Sequence, residues 1–278
     1  MSAHVAIPAY GSVHANIISD HFTKPEWAKS VAEYYSTARP DDRILAVFCD
    51  GGTSTRHGGY TSYAVCWRDP DTQEWHETGG LLANNPSSNA AEVFAVARAL
   101  ETAADILDEY EGRFTTVKVF TDYQGVLTKL KELRTSPSAT YGWRKEYFEA
   151  VLRHEGRLAV MAPLVEVDMH WVPGHRGVEG NVRADRVAGR LLDEHDRRLQ
   201  AEERKRREQA FLDEMERAEL EEKLRAFGHY DSCQTAAMNP NHNSAKNAML
   251  LGHPAFHCGA PQSPAVGNSS SGTQMLKL

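Results

Sequence analysis

Residues 170–188 read HWVPGHRGVEGNVRADRVA. The character of the chain changes twice within this stretch. LVEVDMHWV, residues 164–172, is rich in β-branched and apolar side chains and predicts a strand. Pro173 and Gly174 break it. A helix is then predicted from near Gly180-Asn181 through Leu191, with Asp185 in its first turns. A carboxylate is thus placed on a helix that begins just past a strand end.

The same reading extends toward the N-terminus. RILAVFC, residues 43–49, is an apolar run ending at Asp50-Gly51-Gly52, which reads as a turn. YTSYAVCW (60–67) and EWHETGGLL (74–82) predict two more strands, and the three fit an antiparallel meander. From Asn89 to about Tyr110, Ala, Leu, Val and Phe recur at helical spacing, with Ser87, Ser88 or Asn89 as candidate N-cap. TVKVFTD (116–122) predicts a fourth strand, followed by a helix through VLTKLKEL (126–133) and another over roughly Gly142 to His154. The order β-β-β-α-β-α-α-β-α predicts an α/β fold. Its core is a mixed five-stranded sheet, an antiparallel meander plus parallel strands, flanked by helices.

Four acids stand out in that frame. Asp50 and Asp122 lie at the C-terminal ends of two strands, where sites in such sheets are built. Glu92 is placed in the first turn of the first helix and Asp185 early in the last. Taken singly, each has a structural explanation as a turn, cap or helix-dipole residue. Brought together, they would repel and raise one another's pKa unless a cation neutralised them. Oxygen-only ligands favour Mg²⁺ or Mn²⁺ over zinc. Two such ions about 3.5–4 Å apart suit in-line displacement at a phosphodiester.

The blocks FCDGG, SNAAEVFAV, FTDYQGV and HWVPGHRGVEGNVRADRVA occur in this order and resemble the type 1 ribonuclease H family over about residues 43–192. The resemblance implies an endonuclease that cuts the RNA strand of an RNA–DNA hybrid with two Mg²⁺ ions, Mn²⁺ substituting, and leaves 5′-phosphate and 3′-hydroxyl ends. It makes Asp50, Glu92, Asp122 and Asp185 the metal-binding carboxylates and His175 a mobile loop histidine that assists proton transfer or product release. Asn89 and Gln124 match positions that read the minor groove of the hybrid. Gly51 and Gly52, lacking Cβ, let backbone approach RNA. Asn181 matches the position opening the last helix, where an N-cap role is the plain alternative. Trp143, Arg144 and Lys145 fall in a basic segment, residues 129–157, that corresponds to the family's DNA-gripping handle. Two positions depart from the family pattern: Tyr123 replaces a small residue, and Ser88 stands where Asn is common. Either departure weakens RNA contacts on this reading. The alternatives are a catalytically weak or inactive hybrid-binding protein and a ribonuclease H module of retroelement origin. No N-terminal hybrid-binding domain is evident, and with no reverse transcriptase in the chain a stand-alone enzyme is expected.

Composition sets the outer limits. The 278 residues are 41% hydrophobic and 25% charged, ordinary for a globular protein. No apolar run is long enough for a membrane span and no signal pattern opens the chain, so a soluble intracellular protein is expected, nucleus or cytoplasm not distinguished. The four cysteines lack metal-binding spacing. The net charge of −7 does not by itself point to nucleic acid, but the acids are concentrated toward the C-terminus. The expected division is an N-terminal extension (1–42), a catalytic domain (43–192), a charged helical extension (193–228) with opposite charges at helical spacing, and a low-complexity tail (229–278) too poor in apolar residues to stay ordered. The helical extension is a candidate surface for a protein partner, with a solvated helix as the plainer reading.

Overall fold

The computed structural model describes residues 15–37, 41–54, 59–82, 87–135, 145–161 and 165–237. The predicted tail from residue 238 onward lies outside them. The chain divides into two units, Met1–Asp213 and Glu214–Leu278. Among the described residues no helix is long and apolar enough to cross a membrane.

The elements in chain order are β1 (Asn16–Ile18), a 3-10 turn (Ser19–Thr23), α1 (Pro25–Thr37), β2 (Ile44–Ser54), β3 (Tyr60–Arg68), β4 (Trp75–Leu82), α2 (Ser88–Glu109), β5 (Thr116–Thr121), α3 (Gln124–Thr135), α4 (Lys145–Met161), β6 (Glu166–Trp171) and α5 (Glu179–Ala237). From β2 onward this is the predicted order. The strands form one mixed sheet in the order β1-β6-β5-β2-β3-β4. β2–β3 and β3–β4 are antiparallel, and β2–β5, β5–β6 and β1–β6 are parallel.

The sheet therefore has six strands, not five. The added edge strand β1 comes from the segment expected to be a mere extension. Its position has a polar cause. Asn16 sits opposite Asp168, and its amide donates to Asp168 Oδ1 at 3.1 Å and Glu166 Oε1 at 3.2 Å. Lys118 of β5 reaches the other oxygen of Asp168 at 2.6 Å. One carboxylate so ties three strands together. α1 then covers one face of the sheet, where Ala28 and Ala32 are wholly buried and Ala32 packs with Phe48, Phe120, Val172 and Val178.

On the opposite face α2 forms the main packing layer. Its buried positions include Ala91, Ala95, Ala99, Ala103 and Ala104, together with Val93, Val96 and Leu100. Small side chains let the helix backbone lie close to the strands. Ser87 caps it, its hydroxyl accepting from the Ala90 amide at 3.4 Å. Leu127 and Leu130 of α3 and Val151 and Leu158 of α4 complete this core. The charged extension is helical as expected, but α5 continues through Ala237, beyond the predicted end at 228. Ala, Gln and Tyr in residues 229–237 oppose no helix, and no Pro or Gly follows Gly228 before Ala237 to stop one.

Candidate active site

β2 and β5 run parallel with Cys49 in register with Thr121. The residues that follow, Asp50 and Asp122, consequently emerge side by side. Asp50 was expected at a turn, but β2 runs on through Ser54, with Asp50 paired to Ala64 and Gly51 to Tyr63 of β3. The two glycines serve packing. A Cβ on Gly51 would lie 2.4 Å from the backbone carbon of Ala91 and 2.5 Å from the amide nitrogen of Glu92. A Cβ on Gly52 would lie 2.8 Å from Ser62 Oγ and 3.0 Å from a Leu192 methyl. Only glycine at 51 lets α2 cross β2 this closely.

That crossing brings Glu92 to Asp50. The Gly51 amide donates to Glu92 Oε2 at 3.2 Å and to Asp50 Oδ1 at 2.9 Å. Glu92 lies in the second turn of α2, not the first, since the helix starts at Ser88. Its place is set by the glycine crossing and owes little to the helix dipole. One oxygen each from Asp50, Glu92 and Asp122 lie within 4.8 Å of one another.

Asp122 is held from three sides. Trp171 Nε1 donates to its backbone carbonyl at 2.9 Å. Asn181 Nδ2 donates to its Oδ2 at 3.3 Å. Gly174 leaves room for the carboxylate, because a Cβ there would lie 2.9 Å from Oδ2. Asn181 is the third residue of α5 and is buried, so the N-cap reading is wrong. Its Oδ1 is buried without a hydrogen-bond partner. Trp171 was not singled out in the sequence, and Gly174 only as a strand breaker. Gly174 follows Pro173 and Trp171 lies two residues before it, and neither residue type alone signals a contact with a residue so far away in sequence.

Asp185 stands outside the trio. Its side chain is half exposed, and its Oδ2 lies 3.7 Å from His175 Nδ1. His175 is itself largely exposed and left-handed in backbone (φ 54°), one residue before Arg176 and two before Gly177 (φ 84°). Charge still couples the four acids. Burial, then Asp122 and Asp185, push the Asp50 carboxyl up. Burial, then Asp50 and Asp122, push Glu92 up. Burial raises Asp122 as well, with the Asn181 hydrogen bond and His175 pulling the other way. A partly buried, mutually repelling, oxygen-only set is the chemistry expected of a site for a hard divalent cation.

A family model described as RNase H matches residues 42–192. The chain belongs to the RNase H family. No curated protein matches it. Among solved structures, the solution structure of the PFV RNase H domain is 19% identical, with 53% of this chain and 93% of that one covered and a TM-score of 0.39. The foamy viral protease-reverse transcriptase in complex with dsDNA is 16% identical, covering 58% and 96%, TM-score 0.39. LC9-RNase H1, a type 1 RNase H with the type 2 active-site motif, is 16% identical, covering 55% and 72%, TM-score 0.36.

The remaining candidates of this RNase H chain are distributed unevenly. Asn89 is the second residue of α2 and Gln124 the first of α3, so they stand at the helix starts next to Glu92 and Asp122. Tyr123 packs partly buried against the core, and its ring occupies the space over Gly125, whose Cβ would lie 2.6 Å from it. Trp143 and Arg144 lie outside the described residues, and Lys145 is described only as the first residue of α4. Four cations of the basic segment have partners within the fold: Lys129 pairs with Glu132 at 2.6 Å, Lys131 donates to Ser19 Oγ at 3.3 Å, and Arg134 and Arg157 are held as follows. Arg134 donates to the Ala15 carbonyl at 2.5 Å and pairs with buried Glu155. Arg157 lies 2.9 Å from Asp105.

Proposed function

We propose that this chain is a metal-dependent endonuclease that hydrolyses the RNA strand of RNA–DNA hybrids, leaving 5′-phosphate and 3′-hydroxyl ends. The observation that carries the reading is the trio of buried Asp50 and half-buried Glu92 and Asp122, with ligand oxygens within 4.8 Å and Asp185 close enough to act on it electrostatically.

Asp50, Glu92, Asp122 and Asp185 would hold two Mg²⁺ ions. Bound there, such ions would supply a lowered pKa for the attacking water and charge stabilisation at the leaving 3′ oxygen. The chain's own groups do the positioning. Gly51 sets the spacing of Asp50 and Glu92. Trp171 and Asn181 fix Asp122 in rotamer and height. His175, exposed beside Asp185, holds or delivers the proton that the leaving oxygen takes as the phosphorus–oxygen bond breaks. Asn89, Gln124 and the backbone at Gly51 and Gly52 face the RNA strand, whose 2′-hydroxyls distinguish it from DNA. Trp143, Arg144 and Lys145 grip the other strand through its phosphates.

Asp122→Asn tests the centre. The variant is expected to fold, to bind hybrid in a filter or gel-shift assay, and to lose at least about a hundredfold in cleavage rate, since charge stabilisation worth several kcal/mol depends on that carboxylate. Cleavage at the wild-type rate would remove Asp122 from the centre.

A further inference from the structure

The start of the charged extension is buried. His195 and Asp196 lie just past residue 192, where the family match ends, and are 8% and 5% exposed. They continue a stripe on one face of α5 formed by Ala188, Leu192, His195 and Asp196. That face runs along the β2–β3 ribbon beyond Asp50. Ser62 Oγ donates to the Ala188 carbonyl at 2.9 Å. A Cβ on Gly52 would lie 3.0 Å from a Leu192 methyl. The Tyr60 and His195 rings meet edge to face, with centroids 4.1 Å apart. Ser54 Oγ donates to Asp196 Oδ2 at 3.1 Å. Gly52 pairs with Ser62 and Ser54 with Tyr60, so α5 touches both pairs. Ser54 is the last residue of β2 and Tyr60 the first of β3.

The polar contacts are not what stability alone would select. Among the described residues, Asp196 Oδ1 and His195 Nε2 are buried without a hydrogen-bond partner. Arg198 Nη2 lies 2.8 Å from His195 Nδ1. Arginine only donates, so Nδ1 accepts and the ring hydrogen sits on the unpartnered Nε2. A buried donor and a buried acceptor left unpaired weaken a fold, and apolar side chains of similar shape would pack there without that loss. The carboxyl does something they could not do. Its oxygen fixes Ser54 in direction and distance. Asp50, Gly52 and Ser54 share one face of β2, with Ser54 about 14 Å along the strand from Asp50. Gly51 is set by the α2 crossing, and the ribbon beyond it is gripped by α5.

We propose that Asp196 is a positioning residue for the RNA strand. Through Ser54 it holds the end of the β2–β3 ribbon, and with it the Gly52 backbone, at the height where the strand is received. His195, packed on Tyr60, steadies the same pair. This role rests on the Gly52 backbone facing RNA, as the proposed function has it. Because α2 holds Gly51 independently, the carboxylates keep their spacing when Asp196 is changed. Substrate binding suffers and the chemical step does not.

Two readouts test this on the full chain: KM and kcat for cleavage of an RNA–DNA hybrid, and the Kd of the same hybrid by fluorescence anisotropy without added metal. Asp196→Ala and Ser54→Ala should each raise KM and Kd about fivefold, the worth of one hydrogen bond, with kcat within about twofold of wild type. The double variant should bind no more weakly than the weaker single one, since both changes remove the same contact. Asp196→Asn keeps an acceptor for Ser54 and should bind as the wild type does. Circular dichroism at the assay temperature checks folding. Should Asp196→Ala unfold, Ser54→Ala and Asp196→Asn carry the test. Unchanged KM and Kd in the alanine variants, a fall in kcat at constant KM, or a loss that Asp196→Asn shares with Asp196→Ala overturns the proposal. A chain that binds hybrid but never cuts it overturns the nuclease reading alone, because the Kd comparison still decides the role of Asp196. A chain that binds no hybrid overturns both.

Discussion

Gly51 is the residue on which the centre depends most mechanically. Asp50-Gly51-Gly52 looks like a turn because Gly-Gly pairs usually punctuate strands. Here the need for glycine arises from a helix that is distant in sequence, a cause that no local pattern carries. Gly51→Ala forces the backbone of Ala91 and Glu92 to shift, because the Cβ would lie 2.4 Å from it. Overpacking of this kind costs about 1–3 kcal/mol, so urea unfolding should show a lower midpoint, and cleavage should fall further than stability alone explains as Glu92 moves away from Asp50. Asp50, Glu92 and Asp122, whose oxygens the fold brings within 4.8 Å of one another, could be picked out because they sit in ordered blocks of sequence, whereas Asp185, picked out in the same way, stands beside His175 outside that trio. Asn181 was legible as a position but not in its contact, since its hydrogen bond to Asp122 crosses from the last helix to the strand end. Trp171→Phe conserves packing and removes the donor to the Asp122 carbonyl. It should lower kcat with KM little changed, and an unchanged kcat would deny Trp171 a positioning role.

At the scale of elements, the strands and helices from β2 to α5 follow their periodicity. β1 did not announce itself. A run of three residues has too little alternation to read, and its pairing with β6 rests on Asn16 meeting Asp168. α1 lay within the segment expected to be an N-terminal extension, and its packing partner was not readable there. The buried Ala32 against Phe48 and Phe120 makes this helix part of the domain, which leads to a test at this scale. Ala32→Leu adds volume where there is none and should destabilise the protein by about 1–3 kcal/mol. A denaturant midpoint equal to that of the wild type would show α1 to be dispensable. The basic segment was the least readable element. Charge alone could not tell that Arg134 turns inward to Ala15 and Glu155.

For the molecule as a whole, the carboxylate centre links stability, pH and metal. Burial and mutual repulsion raise the proton affinities of Asp50, Glu92 and Asp122 in the fold. The folded state therefore holds more protons than the unfolded chain above about pH 4, where free carboxyls ionise, and its stability falls as pH rises through the folded values. Metal-free protein should show a lower Tm at pH about 8 than at about 5 from this source. Glu92→Gln should reduce that fall, and added Mg²⁺ should raise Tm more at the higher pH. Each kcal/mol regained corresponds to roughly 2–4 °C in a domain of this size. A Tm gain from Mg²⁺ that is independent of pH would separate the metal from these carboxylates. Hybrid-specific cleavage is tested by incubating the intact folded protein, with Mg²⁺ or Mn²⁺, with four matched duplexes: RNA–DNA, RNA–RNA, DNA–DNA, and DNA carrying one ribonucleotide. The RNA strand of the RNA–DNA hybrid should be cut to 5′-phosphate ends, while RNA–RNA and DNA–DNA stay intact. A hybrid left whole with both metals, or an all-DNA duplex cut as readily, would contradict it.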